Sequence, residues 1–186
     1  MEITTARLHL REFTFDDWSA ILDYQQDPRY LSYYEWAERT TADAQAFVQL
    51  FLDFQAVQPR TKFQLAITLK TTGQLIGNCG LRLKSANAIE ADIGYELSPD
   101  HWSSGYATEA AQAMVNLGFT QFRLHRISSW CIADNEGSMR VLEKVGMNLE
   151  GRMRENEYFK NRYWDTLLYA ILENEWREQG DGRNGR

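Results

Sequence analysis

With 186 residues and a formal net charge of −6, the chain lacks the clustered Lys and Arg that broad binding to nucleic-acid phosphate requires. Hydrophobic residues at 44% and charged residues at 25% match one soluble globular domain able to bury its own core. No apolar run, Leu167 to Leu172 included, approaches the roughly 18 residues that span a bilayer, and Met1 to Arg11 has no apolar signal-peptide core. A cytoplasmic protein without membrane association is therefore expected.

In chain order, Leu8 to Glu12 alternates as a strand, and Thr14-Phe15-Asp16-Asp17 reads as a capping box opening a helix through about Gln26. Asp27-Pro28 stops that helix, because the residue before proline is pushed out of the α region. Tyr30 to Trp36 is aromatic and irregular, a loop with room for a short helix. Thr41 is taken as the cap of a second helix, whose Phe47, Val48, Leu50, Phe51 and Phe54 recur near the helical period. After Pro59 the period changes. Strands are expected over Phe63–Leu69, Leu75–Leu83 and Ile89–Leu97, the first two joined by a turn at Thr71-Thr72-Gly73-Gln74. A helix follows Gly105, a β-rich run covers Arg126 to Ile132, and a short helix from Asn135 to Val145 ends before Gly146. Arg152–Glu157 and Tyr163–Leu172 read as a closing hairpin through Lys160-Asn161. Residues 1–178 are thus read as one α/β domain, and 179–186 as a glycine-rich, disordered tail. Cys79 and Cys131 lie in apolar, strand-like segments at a spacing that fits neither a metal framework nor a disulfide scaffold, so both are read as reduced core residues.

The segment Trp102-Ser103-Ser104-Gly105-Tyr106-Ala107-Thr108 joins the strand ending at Leu97 to the next helix. Helix N-termini leave N–H groups unpaired and partly positive, which suits a phosphate when the backbone can come close. Gly105 and Ala107 remove bulk there, and Ser103, Ser104 and Thr108 add hydroxyls. Alone, these residues fit a well-capped helix behind a glycine turn better than a phosphate site. Neither the P-loop nor the G-x-G-x-x-G pattern is present, and phosphoryl-transfer signatures are missing too.

Several segments together resemble the GNAT N-acetyltransferases, in the branch of ribosomal-protein-alanine N-acetyltransferases. Trp102 to Ala110 is similar to the branch's Trp-x-x-Gly-Tyr-Ala-Thr-Glu-Ala pyrophosphate loop, with Ser103 in place of a glycine. Ile93-Gly94-Tyr95-Glu96-Leu97 and the block from Asp134 to Met147 resemble the same branch, as do Thr5 to Arg11, Gly151 to Arg154 and Tyr163-Trp164-Asp165. The resemblance implies the GNAT fold: an α/β (α+β) domain whose mixed, mostly antiparallel sheet splays between two parallel strands, with helices on both faces. It implies acetyl-CoA as co-substrate, no metal, and a primary amine as acceptor, and it leaves a homodimer open.

By the same resemblance, Trp102 to Thr108 hold the pyrophosphate, a backbone N–H near Glu96-Leu97 polarises the thioester carbonyl with Leu97 among the cofactor contacts, and Asn135 contacts the pantetheine arm. Ser138 takes the place of the branch's serine that donates toward the departing sulfur. Asn135 and Ser138 also fit plain helix capping. Many members carry a tyrosine acid seven residues after that asparagine; here the position is Leu142, which cannot donate. Glu96 is the candidate base, acting through water, with His101 as the other choice and a solvent-facing strand role as the alternative. Tyr30, Tyr33, Tyr34 and Trp36 fall in the region forming one wall of the family's acceptor cleft, suited to an amine by packing and cation–π contact, or to pinning a loop on the core. Glu109 is read as local support. The acceptor is expected to be a protein N-terminal α-amine or a small amine, and a non-catalytic acetyl-CoA-binding module stays open. The acidic surplus suits a cationic amine and also serves solubility.

Overall fold

Period-two alternation along the expected runs produces strands that join in one sheet. The structure, a computed structural model, describes residues 1–183. Its strands are β1 (Glu2–Thr4), β2 (Leu8–Glu12), β3 (Lys62–Leu69), β4 (Leu75–Leu83), β5 (Glu90–Leu97), β6 (Arg126–Ile132), β7 (Asn148–Phe159) and β8 (Arg162–Leu172). They lie in the order β1-β2-β3-β4-β5-β6-β8-β7. Every neighbouring pair is antiparallel except β5 with β6, which is parallel. That parallel contact holds only from Glu90↔Arg126 to Asp92↔Ser128. Past it β5 runs on to Leu97 and β6 to Ile132 without pairing to each other, so the sheet splays open in its middle.

Each face of the sheet buries its own cluster. One face carries Leu65, Ile67, Cys79, Leu81, Ile93 and Ile127 under α4 (Tyr106–Thr120) and α5 (Glu136–Val145). The other packs Ala66 and Leu75 against α1 (Trp18–Gln25), α2 (Pro28–Leu31) and α3 (Thr41–Ala56). α6 (Glu173–Arg183) follows β8, and its Trp176 stacks on Phe119 of α4 at 5.2 Å. The expected fold class holds, helices on both faces included. No helix among the described residues is long and apolar enough to cross a membrane.

Local signals held where they were specific. Thr14 and Asp17 form the capping box, though it opens a 3-10 turn (Phe15–Asp17) that leads into α1. Gly146 closes α5 at φ 92°, and Lys160-Asn161 turns the last hairpin with both residues at positive φ. The cap of α3 is a correction. It is Thr40, whose Oγ1 accepts from the Asp43 N–H at 3.3 Å while Asp43 accepts from the Thr40 N–H at 2.8 Å. The reciprocal pair needs a three-residue spacing that Thr41 does not have with Asp43. β1 and α6 were not anticipated, and β7 is longer than expected because an irregularity between Met153 and Glu157 lets its pairing continue. The expected tail is helical through Arg183; residues 184–186 lie outside those described.

Candidate functional site

The splay between β5 and β6 gives the sheet two distinct sides at one place. Along β5, Ile93, Tyr95 and Leu97 face α4 and α5, whereas Gly94 and Glu96 face α1–α3, as their register partners on β4 require. Ser98 donates its N–H to Ile76 on β4 at 2.7 Å. Alternation therefore turns the Leu97 N–H the other way, into the opening. That is the orientation a donor to a thioester carbonyl needs.

The loop expected to hold pyrophosphate runs from that opening to α4. Trp102 reaches back with its indole N–H to the Leu97 carbonyl at 2.8 Å, fastening the loop to the strand end. Ser103 (φ 59°) and Gly105 (φ 79°) both sit in the left-handed region, so the backbone doubles sharply before α4 begins. Ser103, Ser104 and Gly105 are exposed, Tyr106, Ala107 and Thr108 are partly so, and Trp102 is 40% exposed. An accessible, twice left-handed turn feeding a fifteen-residue helix presents main-chain N–H groups outward, which is the donor set a pyrophosphate takes. The segment fits acetyl-CoA.

On the α5 side, Asn135 caps the helix: its Oδ1 accepts from the Ser138 N–H at 3.0 Å. Capping engages the amide oxygen, so a contact to the pantetheine arm falls to Nδ2. The Ser138 hydroxyl lies 3.0 Å from the Tyr95 hydroxyl, which also reaches the Ser138 carbonyl at 3.1 Å. Burial pushes the Tyr95 phenol up, so it stays protonated. Burial likewise raises the Cys131 thiol against a lowering contact from Ser138, and lifts Cys79 to about 12. Both cysteines are buried and free. Leu142 is wholly buried core, in keeping with a position that has no acid role.

Glu96 is partly buried. Its Oε1 accepts from the Tyr24 hydroxyl (2.6 Å), Asn78 Nδ2 (2.7 Å) and Gln25 Nε2 (3.1 Å), and its Oε2 from the Tyr30 hydroxyl (2.6 Å). Asn78 in turn accepts from Gln64 Nε2. Gln64, Asn78 and Glu96 thus form a polar row across β3, β4 and β5 on the α1–α3 face. Room for it comes from Gly80, where a Cβ would stand 1.9 Å from the Gln64 side-chain oxygen. Burial first, and the Glu96 charge second, push the Tyr24 and Tyr30 phenols far above 10, so both remain donors. His101 sits elsewhere, 6.2 Å from the Tyr106 ring, with Nδ1 buried and unpaired among the described residues.

The aromatic wall takes a form that spacing did not reveal. Tyr30 stacks on Tyr34 at 4.5 Å and Tyr34 on Trp36 at 4.9 Å, and the Arg39 guanidinium lies 4.7 Å over Trp36. Arg39 also donates to Gln25 Oε1 at 3.0 Å. The expected cation–π role is thus filled at Trp36 by a residue of the chain itself. Tyr30 is buried and serves Glu96, while Tyr33 takes no part in the stack. Tyr24, Gln25, Gln64, Asn78 and Tyr95 were missed by motif reading. The available signal was Gln64 and Asn78, polar residues at in-facing positions of otherwise apolar strands.

The Acetyltransferase (GNAT) domain family matches residues 7–148. An "Uncharacterized N-acetyltransferase YnaD" from Bacillus subtilis (strain 168) is 38% identical over 176 residues, 95% of this chain and 99% of that protein. The crystal structure of a GNAT-family acetyltransferase from Bacillus anthracis superposes with TM-score 0.80 at 32% identity, covering 94% of this chain and 99% of the other. The ribosomal-protein-serine acetyltransferase of Escherichia coli (strain K12) is 34% identical over 93 residues, 47% of this chain and 52% of its own.

Proposed function

This chain belongs to the GNAT acetyltransferase family and is an acetyl-CoA-dependent N-acetyltransferase, and from that premise we propose that its acceptor is the α-amine of a protein N-terminus. The observation that carries the proposal is the Glu96 carboxylate, fixed by four donors on the acceptor side of the splayed strands. One such group can hold an ammonium and take its proton through a water. An α-amine, with a pKa of ~7.7–8.0, is already partly neutral at neutral pH and needs only that much help, whereas a lysine at ~10.4 demands far more. The likeness to a ribosomal-protein-serine acetyltransferase supports the same acceptor class.

Bound acetyl-CoA supplies an activated thioester. The chain's residues do the rest. The Leu97 N–H donates to the carbonyl oxygen, where charge grows as the amine adds. Trp102 to Thr108 hold the pyrophosphate by main-chain N–H groups, and Asn135 steadies the arm. Ser138, backed by the Tyr95 hydroxyl, donates toward the sulfur; a thiol with a pKa of ~8.5 leaves without a strong acid, so a hydroxyl suffices. Glu96 lies on the opposite face of β5 from Ser138, so amine and thiol are handled on two sides of one opening.

The test is thiol release from acetyl-CoA with peptides that differ at the N-terminus, the same peptides N-blocked but carrying lysine, and small amines. Free N-terminal peptides are expected to react fastest. Small amines turning over while every peptide is inert would defeat this acceptor, and no release from any amine despite tight CoA binding would mark a binding module.

A further inference from the structure

The motif Thr5-Ala6-Arg7-Leu8 lies a hundred residues from the loop at Trp102–Thr108, yet its side chains lie directly against that loop. Thr5 Oγ1 donates to Glu109 Oε1 at 2.6 Å, and Glu109 also accepts from the Arg7 N–H (2.8 Å) and from Arg7 Nε (2.7 Å). With its outer edge, Arg7 donates through Nη1 to the Ser104 carbonyl at 2.8 Å, and its guanidinium lies 4.4 Å over the Tyr106 ring. A Cβ on Gly105 would come within 3.3 Å of Arg7 Nη2. One guanidinium therefore touches Ser104 and Tyr106, the residues on either side of Gly105, while its other edge is tied to the first turn of α4.

The consequence lies in one peptide plane. In a trans peptide, C=O and N–H point in opposite directions. Holding the Ser104 carbonyl toward Arg7 directs the Gly105 N–H away from it. Glycine accepts either sign of φ, so the Ser104–Gly105 plane has little intrinsic preference and can rotate if released. We infer that Arg7, anchored by Glu109 and Thr5, is a positioning residue that locks this plane so that the Gly105 N–H faces the cofactor's pyrophosphate. The inference rests on the reading of Trp102–Thr108 as the pyrophosphate segment. It assigns a cofactor task to the N-terminal motif, which packing of β2 alone does not demand. It also explains the arginine: a planar fork presents separate donors to Glu109 and Ser104 in one fixed geometry, which a lysine ammonium on its flexible stem does not.

The test compares CoA, titrated by calorimetry, with pantetheine, titrated by NMR; pantetheine is the same arm without pyrophosphate or nucleotide. Arg7→Met is expected to raise the Kd for CoA about tenfold, the effect of losing one oriented donor, and to leave pantetheine unchanged. Arg7→Lys should fall between Arg7→Met and wild type, and it carries the test if Arg7→Met does not fold. Gly105→Val, which forces a branched side chain into the left-handed region, is the reference for loss of the loop itself. If Gly105→Val weakens CoA and the Arg7 variants do not, the positioning role is wrong while the loop reading stands. If the Arg7 variants weaken CoA and pantetheine alike, Arg7 is only structural and the inference fails. If neither position affects CoA, the pyrophosphate reading falls and takes the inference with it.

Discussion

The two sides of the splayed strands are built from different materials. On the α4 side the proposed functional groups are main-chain N–H donors on an exposed turn, with Ser103 and Gly105 in the left-handed region and Arg7 bound to the Ser104 carbonyl. On the α1–α2 side they are side chains, Tyr24, Gln25, Tyr30, Asn78 and Glu96, closed into a hydrogen-bonded cluster with Arg39 sealing the aromatic stack. A turn that recognises with its backbone depends on backbone conformation and on the absence of bulk, and tolerates change elsewhere. A cluster of side chains depends on every partner, because a buried donor or acceptor left unpaired costs about 1–3 kcal/mol. The cofactor side should therefore vary little in what it binds, and the acceptor side should respond to single atoms.

The sharpest way to break that contrast is Glu96→Gln. Turnover should fall about a hundredfold or more, the usual worth of a positioned base, with CoA affinity unchanged. The new amide keeps its oxygen toward Tyr24, Gln25 and Asn78 and turns its NH2 group toward the Tyr30 hydroxyl, which donates to Oε2 in the wild type, so Tm should drop as well. A parallel loss of CoA binding would show that the two sides are not independent. Ser138→Ala tests the boundary between them. It removes the hydroxyl facing Tyr95, and kcat should fall by about three- to tenfold, a hydrogen bond's worth, with little change in CoA affinity. An unchanged kcat would take Ser138 out of the chemistry.

The smallest effect expected is a pH dependence on the cofactor side. Burial pushes the Glu109 carboxyl up, but hydrogen bonds from Thr5 and Arg7 outweigh it and hold the group below its ordinary 4.5. A lowered folded-state pKa contributes stability that is complete above the unfolded value and disappears as pH falls through the folded one. The Tm gap between wild type and Glu109→Gln, about 2 °C for a domain of this size, should be flat from neutrality to about pH 4.5 and close in more acid solution. A gap that persists at low pH would mean the carboxylate charge is not what joins Arg7 to α4.

Legibility followed the same division. The turn at Trp102–Thr108 could be read because it resembles a GNAT pattern that lies in one short segment, set beside the strand to Leu97 and the block from Asp134 to Met147; its small residues, hydroxyls and helix start alone favour a capped glycine turn. The acceptor side could not, because Gln64, Asn78 and Glu96 meet only through strand register, and Tyr24 and Tyr30 arrive from helices on top of the sheet. The aromatic run from Tyr30 to Trp36 was visible, but that its rings would stack on one another and on Arg39 was not. Asn135 kept both readings, cap and cofactor contact, because a cap engages only one of its two amide atoms.

The order of residues by itself determined most of the strands, the caps at Thr14 and Gly146, and the turn at Lys160-Asn161, since each rests on neighbours within a few positions. Even there, choosing between Thr40 and Thr41 as a cap needed a reciprocal bond to Asp43 that only geometry shows. Tertiary structure alone decided that the β5–β6 pairing ends at Asp92, that Glu96 and the Ser138 hydroxyl lie on opposite faces of β5, and that Arg7 braces a loop a hundred residues away. The physical reason is range. Caps and turns are energies of adjacent residues, whereas a splayed sheet and a buried polar row are set by how whole elements pack.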